Sequence, residues 1–491
     1  MSMSVYRDIL RQSGIYSIVI LATRAASFLA LPVYTRYLSP AEYGALELID
    51  LACSFIATVI GLRLGDALLY YYADAPSQRQ RDRVVSTVLL GSIALGAVAI
   101  FGGWMAASEI SRIIFRSPAL AGYFRIALPT FGLSLPLEVG LCYLRALDRS
   151  RMYVTISVIR LVIGLALSMT LLVAFGMGVA AILWANLVST CATALFIVIY
   201  CLMSAGVYFH RSLFVNLLGY SAPLGVGGVS LFLIHYGDRY FLQRSASLAD
   251  VGLYSLAYKI GMLVSYVQMP FNMYWNARMF DIVRQRNGSG VFARTCTYLT
   301  LVLTCFALVL ALLGQPLIRI LAGPAFQDCA QYIPLLLAAY VIRAIGDQFR
   351  NVFFLSNRTG SDARVVGISS IVCVMSYAVL IPRWKVWGAI TSTLIAFSVT
   401  SVLAFVEARR VQKFPFEVLR LLQILGLAGS MVVVFYEFSP ASLASQVGLA
   451  LALIVLYPLV LAVLGFFNQE ELSAIRALPA RVRARALTTT A

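Results

Sequence analysis

Ionisable side chains stand inside stretches of this chain that are otherwise almost wholly apolar, and their types decide what it can handle. Arg24, Asp50, Arg125, Glu138, Lys259, Arg343, Asp347 and Arg350 each fall within such a stretch. A charge at the centre of a membrane span costs about 2.5–3.5 kcal/mol, so it faces protein or water and marks a working site by default. Five cations against three carboxylates leave a surplus of two positive charges. A positive interior favours an anionic solute, carrying a diphosphate or a carboxylate, over a cationic one. Arg343, Asp347 and Arg350 are spaced to share one helix face, as are Glu138 and Arg145 two turns apart. Arg24 either pairs with Asp50 or faces the cavity. Arg63, Asp66 and Arg160 are near enough to span ends to reach the interface. Tyr254, Tyr258, Tyr266 and Asn272 either line the cavity and bind hydroxyl-rich cargo or simply pack.

The elements that must hold these groups are helices. Of the 491 residues, 61% are hydrophobic and 12% charged, a composition of membrane spans and not of a soluble domain. Windows of about 20 apolar residues give fourteen spans: 14–34, 43–66, 84–106, 121–143, 152–174, 179–203, 214–235, 251–276, 296–314, 330–353, 365–382, 386–406, 418–437 and 444–467. Segments of that length exclude a β-barrel, whose strands alternate over about ten residues. The net charge of +17 is almost all arginine. With an even span count and the N-terminus inside, 23 basic residues fall on the cytoplasmic side against 8 outside, Arg239 among the latter. Both termini are therefore expected in the cytoplasm, the second as a basic tail.

A repeat organises the spans. Ser39-Pro40-Ala41-Glu42-Tyr43-Gly44 recurs as Ser247-Leu248-Ala249-Asp250-Val251-Gly252, 208 positions on. A serine before an apolar run accepts from an exposed backbone N–H, and an acid in the first turn suits the helix dipole. Leu147 and Leu355, and Ala181-Ile182 and Ala389-Ile390, share the offset and the same step of the topology. The fold class is therefore all-α integral membrane, with two six-helix lobes related by a pseudo-twofold along the membrane normal, residues 1–204 and 205–411. Residues 412–491 hold two extra helices and the tail. Transporters built this way place their site between the repeats.

No nucleotide-binding P-loop, zinc-protease helix or nucleophile elbow is present, and two histidines cannot build a metal cluster. No catalytic residue, metal or cofactor is expected. A basic soluble domain for nucleic acid is also lacking. The eight cysteines sit mostly inside apolar runs and read as small buried hydrophobes.

The runs L-A-L-P-V-Y-T-R-Y-L-S-P-A-E-Y-G-A-L-E-L-I (29–49) and G-D-R-Y-F-L…A-D-V-G-L-Y-S-L-A-Y-K (237–259) resemble the Wzx-like polysaccharide and oligosaccharide flippases of bacterial inner membranes. These belong to the multidrug/oligosaccharidyl-lipid/polysaccharide exporter superfamily. The resemblance implies an alternating-access carrier of undecaprenyl-diphosphate-linked oligosaccharides from cytoplasmic to periplasmic leaflet, for exopolysaccharide or O-antigen. It implies membrane lipids and glycan polymerase or export proteins as partners. A cationic central cavity of that kind maps onto Arg24, Lys259 and Arg343; Arg125 and Arg350 are added to the candidate substrate-binding set as further cations within spans. Asp50, Asp347 and Glu138 are the candidates for coupling to an ion gradient. Two other classes share parts of the pattern, a cation-coupled drug exporter and an integral-membrane glycan polymerase or acyltransferase.

Overall fold

The computed structural model describes residues 28, 30–356, 358–411, 414–438, 440 and 442–467. Arg24, most of the first expected span and the basic tail lie outside them. After a helical stretch at 30–37 come α1 (Pro40–Gly61), α2 (Leu64–Asp74), α3 (Gln78–Phe115), α4 (Ala121–Ala146), α5 (Ser150–Val173), α6 (Val179–Ala205) and α7 (Arg211–Ser245). They are followed by α8 (Leu248–Val283), α9 (Gly288–Leu312), α10 (Gly314–Leu321), α11 (Ile333–Leu355), α12 (Thr359–Val411), α13 (Val418–Glu437) and α14 (Leu443–Val463). Short 3-10 turns occupy Pro118–Leu120 and Pro324–Tyr332. Among the described residues, eleven helices are long and apolar enough to cross a membrane. This is a multi-pass membrane protein, and the count of fourteen remains an expectation. The eleventh and twelfth expected spans run together in α12, interrupted by non-helical backbone at Lys385.

Both serine caps form. The Ser39 hydroxyl accepts from the Glu42 N–H (3.2 Å) and the Ser39 N–H donates to the Glu42 carboxylate (2.8 Å). Ser247 and Asp250 repeat the exchange at 3.1 and 3.0 Å. Each box satisfies two backbone donors that helix geometry leaves without partners. Ser39→Ala and Ser247→Ala should each cost about 1 kcal/mol, read as matching downward shifts in the thermal unfolding midpoint of the purified protein.

The span that opens at Ser39 departs from the expected 43–66. Its helix stops at Gly61, because Leu62 and Arg63 take left-handed backbone (φ 43° and 56°), and α2 starts afresh at Leu64. At a 1.5 Å rise, α1 alone covers about 33 Å, the thickness of the hydrocarbon layer. The seventh span runs longer than its apolar stretch, to Ser245 in place of residue 235. That extension carries Asp238 and Arg239 inside the helix, not into an outer loop.

The described residues form two compact units. The first comprises residues up to Ile260 with Ile318–Tyr332 and Thr359–Leu403; the second comprises Gly261–Leu317, Ile333–Arg358 and residues from Ala404 on. In the first, α3 packs on α4, and α4 and α5 pack on α6, around Leu68, Val85, Leu89, Tyr143 and Ile197. In the second, α9 packs on α11, α13 and α14, and the Tyr457 hydroxyl ties α14 to the Ile424 carbonyl of α13 at 3.0 Å. The outward face is apolar: Phe101, Met203 and Val463 are largely exposed, as suits side chains that meet lipid. Cys191 is exposed too, against the expectation of burial, and Cys305 is half-buried; the other six cysteines are buried.

Candidate functional site

In the first unit, α1 and α8 cross at their N-terminal turns. A Cβ built on Gly44 would strike the Leu248 carbonyl oxygen, and one built on Gly252 would strike the Pro40 carbonyl oxygen. The exchange is symmetric under the 208-residue offset, so the repeat read from sequence meets itself here. Glycine is required because the obstructing atoms are backbone and cannot turn aside.

Three turns into α8, Lys259 reaches across to α1. Its ammonium forms an ion pair with Glu47, donates to the Tyr43 hydroxyl (2.7 Å) and sits 5.0 Å from the centre of that ring. This group borders a cavity of about 580 Å³ lined by Tyr34, Glu47, Asp50, Tyr153, Ser157, Arg160, Asn186, Ser189 and Lys259, among apolar neighbours. Its charged residues balance: Glu47 and Asp50 against Arg160 and Lys259. The structure thus brings Asp50 and Lys259 to one chamber. The lysine's partner is nonetheless Glu47, one turn earlier. Arg160, expected at the interface, lines the same chamber. Arg24, expected either to pair with Asp50 or to face the cavity, lies outside the described residues.

A second cavity of the same unit, about 450 Å³, lies at the break between α1 and α2 and takes in Arg63, Asp66, Ser92, Ser134, Glu138 and Arg145. Arg63 pairs with Asp66 at 2.6 Å, and Arg145 donates to the Cys142 thiol at 2.8 Å. Glu138 and Arg145 therefore share a chamber as their spacing predicts. Arg125 borders neither cavity; its guanidinium lies over the exposed Trp104 ring at 5.4 Å.

A third polar cluster is sealed. Arg239 and Asp238 pair at 3.0 Å and are 2% and 0% exposed. Arg239 also donates to Ser255 and the His235 carbonyl, both at 3.3 Å, and stacks over Tyr258 at 4.1 Å. Tyr254 donates to the other Asp238 oxygen, and Tyr258 to the His235 carbonyl at 2.8 Å. Both tyrosines are fully buried, so of their two expected roles they take packing.

In the second unit, the expected face of α11 forms. Arg350 pairs with Asp347 at 3.4 Å, and Arg343 donates to Ser265 at 3.2 Å. All three are half-buried. Asn272 accepts from Gln348 at 3.3 Å. Among the described residues, no group of histidine, cysteine and carboxylate ligands is arranged to hold a metal ion.

Residues 9–275, more than half of the chain, match the family described as polysaccharide biosynthesis protein. The chain belongs to that family. A protein of the Lsg locus of Haemophilus influenzae is 24% identical over 417 residues, covering 81% of this chain and 98% of that one. Among solved structures, the lipid II flippase MurJ in an inward closed conformation superposes with a TM-score of 0.72 at 13% identity, over 91% of this chain and 98% of that one. An inward-facing multidrug resistance transporter of the MATE family, from the MOP superfamily, gives 0.66 at 16% identity, over 80% and 97%. The fold of this polysaccharide biosynthesis family member is the one those carriers share.

Within it, sequence reasoning missed Glu47 and Tyr43 as partners of Lys259. A signal was present: Tyr43 and Glu47 are one turn apart and Asp50 follows three residues on, so all three line one face of α1.

Proposed function

We propose that this protein is a flippase that moves polyprenyl-diphosphate-linked oligosaccharides from the cytoplasmic to the periplasmic leaflet of a bacterial inner membrane. The observation that carries the reading is the chamber holding Lys259 and Arg160 with tyrosine, serine and asparagine groups. Its volume falls in the range of ligand sites, about 300–1,000 Å³. Cations suit a diphosphate, and the hydroxyl and amide groups suit sugars. The polyprenyl tail need not leave the lipid, so the protein has only to shelter the polar head while it crosses. No bond of the cargo has to break. Arg343 and Arg350 are the cations proposed for the second unit; Arg125 of the first unit, and Arg24 outside the described residues, are proposed to add to the cationic set. Asp50, Glu138 and Asp347 are proposed to couple transport to an ion gradient. The lobes 1–204 and 205–411 are proposed to rock about the site, both termini facing the cytoplasm as the arginine bias favours. Glycan polymerase or export proteins would receive the cargo.

The test is lipid extraction from a strain lacking the gene, with mass spectrometry of polyprenyl-diphosphate-linked sugars. A complete repeat unit is expected to accumulate on the cytoplasmic face as surface polysaccharide disappears. Wild type should restore export, and Lys259→Ala and Arg343→Ala should fail to. Unchanged lipid-linked sugars with new sensitivity to cationic dyes would overturn the reading in favour of a drug exporter. Units accumulating on the periplasmic face would point to a polymerase.

A further inference from the structure

Glu47 is absent from the anion-binding set above, yet it is the counter-charge of the lysine in that set. Two ion pairs in the first unit show what such a pair can and cannot do. Asp238–Arg239 is sealed, and its guanidinium is committed to the carboxylate, Ser255, the His235 carbonyl and the Tyr258 ring. No solute can compete there. Lys259 and Glu47 are 40% and 14% exposed, and both border the 580 Å³ chamber. A pair that borders an open chamber leaves another anion a side from which to approach the lysine.

We infer that Glu47 is a built-in competitor for the phosphate of the cargo. In the empty carrier its carboxylate holds the place on Lys259 that a diphosphate oxygen takes in the loaded one. This rests on the flippase reading above. The Lys259 ammonium has three donors, and Glu47 and Tyr43 engage two of them. A diphosphate, with more charge and more acceptor oxygens than one carboxylate, displaces the weaker partner. Glu47 is not stranded by the exchange, because it stays in a chamber that also holds Arg160.

The competition also has a mechanical side. Glu47 and Tyr43 stand on α1 and Lys259 on α8, helices that meet at the Gly44–Gly252 crossing. When the ammonium turns to the cargo, α8 lets go of a charged tie to α1. Loading would thereby release an α1–α8 contact that the unloaded carrier keeps, which is differential binding between two states of one protein.

The test uses the full-length protein in lipid nanodiscs, with undecaprenyl diphosphate as the probe and undecaprenol as the tail-only control. Glu47→Gln should bind the diphosphate about tenfold more tightly than wild type, equal to about 1.4 kcal/mol. Lys259→Met should bind it more weakly, and undecaprenol should bind all variants alike. Glu47→Asp, which draws the carboxylate back by one methylene, should tighten binding about threefold, and it decides the matter if Glu47→Gln fails to fold. Equal diphosphate affinity in wild type and the Glu47 variants, with Lys259→Met still weakened, would overturn the competitor and leave the flippase reading standing. Equal binding of both lipids by wild type and Lys259→Met would overturn both.

Discussion

Gly44→Val and Gly252→Val should each cut export about tenfold or more while the protein still reaches the membrane. The new side chain meets the carbonyl oxygen of Leu248 or Pro40, and helix backbone cannot rotate out of the way as a side chain would. The helices must separate, at about 1–3 kcal/mol for overpacking of this kind. The crossing is symmetric, so the two variants should behave alike. The double variant should be little worse than either single one, since the second valine enters a gap the first has opened. Gly102→Val is the control: nothing lies within 4 Å of a Cβ there, and export should be unchanged. Surface polysaccharide measured against membrane abundance is the readout. A mild Gly44→Val beside a severe Gly252→Val would contradict a shared crossing.

Much of this architecture was legible in the residues, and what was not has physical causes. The caps at Ser39 and Ser247 were readable because capping is local: a serine and an acid three residues apart need no other part of the chain. The 208-residue repeat was equally visible, but nothing in it says that its two copies touch. That contact is tertiary. Arg239 was assigned to an outer loop because the apolar run ends near His235 and hydropathy sees each charge alone. In the fold Asp238 and Arg239 cancel each other, so α7 carries them inside to Ser245. The tie from Lys259 to Glu47 is not readable in this way, because depth along a helix follows from sequence whereas side-chain reach across to another helix does not. The stop at Leu62–Arg63 had no glycine or proline at the left-handed positions to announce it.

Breaking the sealed pair should be the most damaging change to stability. Asp238→Asn leaves the Arg239 guanidinium buried without its carboxylate, and Arg239→Met leaves the carboxylate without its cation. Removing one partner of a buried pair costs about 3–5 kcal/mol, because the charge that remains is stranded. Each variant should lose that much, seen as a large fall in thermal unfolding midpoint and in yield. Asp238→Asn with Arg239→Met should recover most of the loss, since two neutral side chains no longer need each other. Tyr258 would then pack against a thioether where it had packed against a guanidinium, a contact of comparable bulk. A double variant as unstable as the singles would show that the hydrogen bonds to Ser255 and His235, not the charge pair, hold the cluster.

The tie made by Lys259 has no mate. A contact in which residue i meets j while j meets i is the signature of an isologous interface, the kind two identical subunits make across a dyad. Gly44 and Gly252 make such a contact. Under the same offset Lys259 corresponds to Leu51, and Glu47 to Ser255, which donates no charge and instead holds Arg239. The dyad therefore ends at the glycines. A pair of identical half-length chains would carry two equivalent ties or none, whereas this single chain carries one, and the chamber beside it is asymmetric for that reason.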